Sequence, residues 1–152
     1  MQQTAARHVA HTDDEAQIRA LIDHWAKAAG TFDIDGIMAA YAPDILAFDA
    51  IAQLQFKGAE AYREHWQACA AMCAGPMVFE VHDLEIEAGG DIAFGHYLVR
   101  CGAVGEDGKE DTGYMRATFC CRQRGGRWKI VHEHFSAPFD PESSKALLRL
   151  EP

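Results

Sequence analysis

Several things are missing from this chain, and each absence removes a class of function. No apolar run approaches the roughly 20 residues that a membrane-spanning helix needs. Basic residues are in the minority, 14 Lys and Arg against 23 Asp and Glu, for a formal net charge of −9. Nucleic acids and anionic membrane surfaces both call for a basic patch, so neither is expected as a partner. The stretch Met1–His11 holds one Arg and no apolar segment of the kind a secretory signal carries. There is no glycine-rich phosphate loop, no Ser-His-Asp order and no nucleotide fingerprint. Cysteine is sparse and odd in number: Cys69, Cys73, Cys101, Cys120 and Cys121 are irregularly spaced. Cys120 and Cys121 alternate across a strand, and no C-x-x-C is present, so reduced thiols in a cytoplasmic protein are expected.

What remains is an ordinary globular chain of 152 residues, long enough for one real core. Residues 1–12 are expected to be a flexible lead-in, 13–140 the folded domain and 141–152 a tail with at most one helical turn. Thr12-Asp13-Asp14-Glu15 is a capping box, and its acids suit the positive end of a helix dipole. Ile18, Leu21, Ile22, Trp25 and Ala29 then recur at helical spacing up to Gly30. A short helix starting at Asp33 or Asp35 should carry Ile37, Met38 and Tyr41 and break at Pro43-Asp44. Ile45–Ile51 reads as a strand, Leu54–Phe56 as a second, and Ala59–Cys73 as a helix with Tyr62, Trp66, Cys69 and Cys73 on one stripe. From Met77 the pattern changes to strands: Val78–Glu87, Ile92–Val104, Gly113–Gln123, and a closing strand after Gly125-Gly126. The order implies an α+β domain with its helices on one face of a curved, mostly antiparallel sheet.

Faces follow from alternation. On the strand from Gly113, the residues Met115, Ala117, Phe119 and Cys121 should face the helices, and Arg116 and Thr118 should face outward. The closing strand, Trp128–Ser136, holds two histidines, a carboxylate and a hydroxyl, and it has two readings. With His132, His134 and Ser136 inward, the H-x-H pair could ligate a metal beside Asp49 or Glu133. With Val131, Glu133 and Phe135 inward, Glu133 becomes a cavity carboxylate and the histidines join Arg116 outside. Alternation alone leaves both readings open.

The segment Asp33-Ile34-Asp35-Gly36-Ile37-Met38-Ala39-Ala40-Tyr41-Ala42-Pro43-Asp44, the helix after Lys57-Gly58, and Gly126-Arg127-Trp128-Lys129-Ile130-Val131-His132-Glu133-His134 together resemble the NTF2-like superfamily. The resemblance is to its SnoaL-like and ketosteroid-isomerase-like members, from Glu15 to about Phe139. The closing segment is also similar to the association domain of calmodulin-dependent kinase II, which packs its outer sheet face on another subunit; that likeness favours the inward Glu133, so no metal is assigned. The resemblance implies a cone-shaped α+β barrel, three helices on the curved sheet, with a cavity between them. Against the ketosteroid isomerase pattern, Asp49 falls where the proton-shuttling carboxylate lies and Trp25 where an oxyanion-holding Tyr lies. Phe119 falls near the second oxyanion donor. Indole has one N–H and Phe has nothing to donate, so the two-donor oxyanion hole and steroid isomerisation itself are not expected.

Asp49 is the only charge in Ile45–Ala52, and a carboxyl in an apolar cavity gains the pKa of a general base. The bland alternative is a strand-end Asp that is solvated or accepts a backbone hydrogen bond. His96, in Ile92–Leu98, is the expected acid or orienting partner, or else a hydrogen-bonded core histidine. Trp25, Tyr41, Tyr62 and Trp66 are core aromatics by default, some of which should line the cavity with Phe119 and Glu133. The expected function is binding of a small, largely apolar organic molecule, with proton transfer of the isomerase, cyclase or hydratase type. That chemistry needs no cofactor. A non-catalytic ligand-binding or assembly domain is the alternative, and a homodimer through the outer sheet face (Arg116, His132, His134) is expected in either case.

Overall fold

The computed structural model describes residues 2–152, with side chains from Asp13 onward. The first helix begins at Gln2, so it runs through residues 2–12, expected as a lead-in, and Thr12 lies inside it and does not open it. Three helices and six strands are present among the described residues: α1 (Gln2–Thr31), α2 (Ile34–Met38), β1 (Tyr41–Phe48), β2 (Phe56–Lys57), α3 (Ala59–Met72), β3 (Met77–Gly89), β4 (Ile92–Val104), β5 (Glu110–Arg124) and β6 (Arg127–Ser136). The strands form one sheet in the order β2-β1-β6-β5-β4-β3. All neighbours are antiparallel except β1 and β6. The sheet is curved and open, not a closed barrel, with β2 and β3 as its edges.

The sequence places the helices where their apolar stripes require. Ile18, Ile22, Trp25 and Ala29 of α1 are buried, one above another on the face that meets the sheet. α2 is capped by Asp33, whose Oδ1 accepts the Gly36 N–H at 3.1 Å. Tyr41 does not extend this helix. It opens β1, and Pro43 lies inside that strand, where the register with β6 shifts between Tyr41 and Leu46. A proline without an N–H is tolerated in a strand at such an irregularity. The strand also stops at Phe48, so Asp49 is the first residue beyond its end.

Two bulges bend the sheet. On β3, Asp83 and Leu84 stand opposite Tyr97 alone, and Asp83 has φ 54°. On β6, Val131 is the extra residue, because Ile130 pairs with Cys121 and His132 with Cys120. This second bulge changes the face assignment. Trp128 and Ile130 are buried before it, and Glu133 and Phe135 are buried after it. The inner face of β6 is therefore Trp128, Ile130, Glu133 and Phe135, taking members from both faces that strict alternation would separate. On β5 alternation holds, with Ala117, Phe119 and Cys121 buried. Phe119 lies across Gly95 of β4, where a Cβ would strike its ring.

The tail makes one i→i+4 bond, from the Ser144 N–H to the Asp140 carbonyl at 2.7 Å, but no helix over residues 143–148. After β6 it folds back on itself through a Phe139–Ala146 bridge and a Leu147 N–H to Pro138 carbonyl bond of 2.7 Å. It then docks on β5, where the Tyr114 N–H donates to the Leu148 carbonyl at 2.8 Å.

Candidate functional site

The β6 bulge turns Glu133 inward, and the chain builds a polar network around it in an otherwise apolar core. Glu133 is 2% exposed. Its Oε1 accepts two hydroxyls, from Tyr41 at the start of β1 (2.7 Å) and from Tyr62 on α3 (2.6 Å). Trp25 of α1 donates its indole N–H to the Tyr41 oxygen at 2.7 Å. On the other side, the Tyr62 hydroxyl is also 3.0 Å from Oδ2 of Asp49. That same Oδ2 lies 3.3 Å from His65 Nε2, one helical turn along from Tyr62 on α3. The second Asp49 oxygen accepts the Ile51 N–H at 3.0 Å, an Asx turn that orients the carboxylate. Asp49 thus makes the backbone bond of a strand-end Asp with one oxygen and faces a hydroxyl and an imidazole with the other.

Counting protons shows what this arrangement can do. Tyr62 has one hydroxyl proton and two carboxylates within reach, so it can donate to only one at a time. If both carboxylates were ionised, the other contact would set a lone pair against a negative charge. A proton on Glu133 resolves this, since Glu133 then donates to Tyr62, which donates to Asp49. The environment supplies that proton near neutrality. Burial, with a smaller push from the charge of Asp49, lifts the Glu133 carboxyl from 4.5 to about 7, although the Tyr62 and Tyr41 hydrogen bonds pull the other way. Burial first, then the adjacent Glu133, holds both tyrosine hydroxyls well above their ordinary range, so they stay protonated donors. The result is a line of exchangeable protons running Glu133–Tyr62–Asp49, with His65 at its end.

Asp49 and His65 open onto a cavity of about 140 Å³ between α3 and the sheet. Its other walls are almost wholly apolar, among them Phe32, Trp66, Phe79, Met115 and Phe135. Trp66 is nine-tenths buried, and its indole nitrogen has no acceptor among the described residues. An unpaired buried N–H is costly.

The residues expected from the sequence separate into three places. Asp49 and Trp66 line the cavity. Trp25, Tyr41, Tyr62 and Glu133 stand behind them in the network or the core, and Phe119 is a core residue beside Tyr97. His96 is corrected: it points to the outer face, more than half exposed, with Glu85 at 3.8 Å. Gly95 and Tyr97 take the inner positions of β4, so His96 has no path to Asp49. His132 and His134 also lie on the outer side, against Phe48, and His132 donates Nδ1–H to the Leu46 carbonyl at 2.7 Å. Arg116 bonds Ser136 Oγ there at 3.2 Å. The H-x-H pair and the two inner carboxylates are thus on opposite faces. Among the described residues no three His, Cys, Asp or Glu side chains gather as a metal site.

His65 is the functional group that the sequence pattern did not single out. It sits between Tyr62 and Trp66 on the same stripe, at i+3 from Tyr62, and that spacing is its only signal. Cys69 Sγ is 3.7 Å from His65 Nε2. It does not complete a nucleophilic triad, because Asp49 meets the same ring nitrogen and leaves it no lone pair for the thiol. Burial and the charge of Asp49 also raise the Cys69 thiol, the opposite of activation.

A curved sheet with three helices across one face and a polar cluster in the hollow between them defines the NTF2-like class. The SnoaL-like domain profile matches residues 18–140, and the chain belongs to that family. The fold is similar to an NTF2-like protein of unknown function from Pseudomonas putida, with 52% identity and a TM-score of 0.87 over 93% of this chain and 98% of that one. A protein from Streptomyces avermitilis, provisionally named as a dehydratase of the NTF2-like family, is 15% identical with a TM-score of 0.71, covering 82% and 97%. A Xanthomonas campestris protein, provisionally named as a calcium/calmodulin-dependent protein kinase II association domain, is 21% identical with a TM-score of 0.67, covering 82% and 86%. At these two lower identities the likeness is one of fold. No curated protein matches the chain. Among the described residues no helix is long and apolar enough to cross a membrane.

Proposed function

We propose that this SnoaL-like protein is a cofactor-independent acid/base catalyst acting on a small, uncharged, largely apolar molecule. The observation that supports it is the single Tyr62 hydroxyl held between two carboxylates, one buried and one at the cavity. Asp49 is the general base. It takes a proton from carbon next to a carbonyl, and His65 holds and orients its Oδ2. Glu133 acts through Tyr62 as a reservoir that can return or accept the proton without solvent. Removal of a proton next to a carbonyl begins isomerisation, dehydration and cyclisation alike, so the class is lyase or isomerase. The provisional dehydratase name of the Streptomyces avermitilis relative agrees with this chemistry.

The test does not depend on the identity of the natural substrate. In D2O, a panel of cyclic ketones and β-hydroxy ketones is followed by NMR for deuterium uptake at the carbon next to the carbonyl. Uptake well above the buffer rate on at least one member supports the reading. A flat panel, together with tight binding of the same molecules, would instead favour a non-catalytic binding protein.

A homodimer through the outer sheet face is also proposed. Ile92 and Phe94 are each 49% exposed there, and Arg116 and His134 on the same face supply polar contacts for a rim. Sedimentation at micromolar protein is expected to give a dimer, and a monomer would overturn it.

A further inference from the structure

A second hollow adjoins the cavity at Asp49. Ile51, Cys101, Met115 and Phe135 each have a second side that lines an outer chamber of about 490 Å³. The far wall of that chamber is made by the tail, through Ala146 and Leu148. The tail is held there by more than contact. β6 ends at Ser136 opposite Arg116, and the tail takes over its side of β5 through the Leu148 carbonyl and the Tyr114 N–H. Arg149 adds an ion pair with Asp111 at 2.6 Å. Gly113 is required for this close approach, since a Cβ there would overlap the Leu148 carbonyl oxygen.

The inner chamber has a definite size. At about 140 Å³ it is close to the engineered apolar cavity of about 150 Å³ that takes one benzene ring. Phe, Trp, Met and Cys side chains make up most of its walls, and Asp49 and His65 lie together at one side. The Asp49 carboxylate at that side disfavours an anion.

We propose that the site takes an elongated, uncharged molecule with a single-ring head and an apolar tail. The oxygenated ring lies in the inner chamber against Asp49, and the tail lies in the outer chamber against Leu148. The C-terminal segment is then the determinant of substrate length. This rests on the acid/base reading of the inner cavity.

The experiment is calorimetric titration of the full chain with phenol and with 4-pentylphenol. Burial of part of the pentyl chain should make 4-pentylphenol bind about ten- to a hundredfold more tightly than phenol. Leu148→Trp fills the outer chamber and should abolish that gain while leaving phenol affinity within about twofold of wild type. Ala146→Phe is a second filling variant, should Leu148→Trp loosen the tail. Equal affinity of wild type for the two phenols, or an equal loss for both in the variants, would overturn the outer chamber alone. Failure of phenol itself to bind would remove the inner site and the proposal with it.

Discussion

Asp49→Asn should slow deuterium uptake about 10²- to 10⁴-fold, the range that a positioned general base contributes. The substitution keeps the shape of the side chain and one carbonyl oxygen for the Ile51 N–H, so the turn after β1 is preserved. It removes the basic oxygen that meets Tyr62 and His65. Circular dichroism and thermal midpoint should therefore stay near wild type while turnover collapses. His96→Gln is the matched comparison, because His96 stands on the outer face beside Glu85. It should leave the rate unchanged. If Asp49→Asn retained the full rate, the base would lie elsewhere and the assignment of Asp49 would fail.

The contrast between Asp49 and His96 shows how far the sequence could be read. A lone carboxylate in an apolar stretch is visible as a pattern, and its cost in an apolar environment makes it a candidate. His96 sits in an equally apolar stretch, but both faces of that strand are apolar, and pattern alone does not choose between them. The structure does, by giving Ala93, Gly95, Tyr97 and Val99 the buried positions. The elements of the sheet from Met77 onward were legible because alternation and glycine turns agree there. Tyr41 was not legible as a strand residue, since Ile37, Met38 and Tyr41 keep helical spacing until the chain meets β6. Pairing with Ile130 outweighs that local signal. The tyrosines at 41 and 62 read as core aromatics and are core aromatics. Their hydroxyls become functional only because a bulge at Val131 brings Glu133 beneath them, and a bulge leaves no mark in hydrophobic period.

Glu133 carries the second large effect, a dependence of stability on pH with a definite sign. In the folded chain it keeps its proton up to pH about 7, whereas unfolded it would release it near the ordinary 4.5. Between those values the folded state binds the extra proton, so protonation stabilises the fold fully below 4.5. That contribution is lost as pH rises toward 7, at about 1.4 kcal/mol per pH unit, roughly 3 kcal/mol across the window. Glu133→Gln has no such proton. Its stability relative to wild type, from urea midpoints, should therefore rise across pH 4.5 to 7.5 by roughly that 3 kcal/mol and be flat above it. Tyr62→Phe should act differently. It removes a hydrogen bond that holds the Glu133 carboxyl down, so the decline in stability should continue to higher pH than in wild type. It should also cost about 1–3 kcal/mol at every pH, because the bonds to both carboxylates are lost. If Glu133→Gln ran parallel to wild type across the whole range, Glu133 would not be titrating in this window. The proton reservoir behind Asp49 would then have no physical basis.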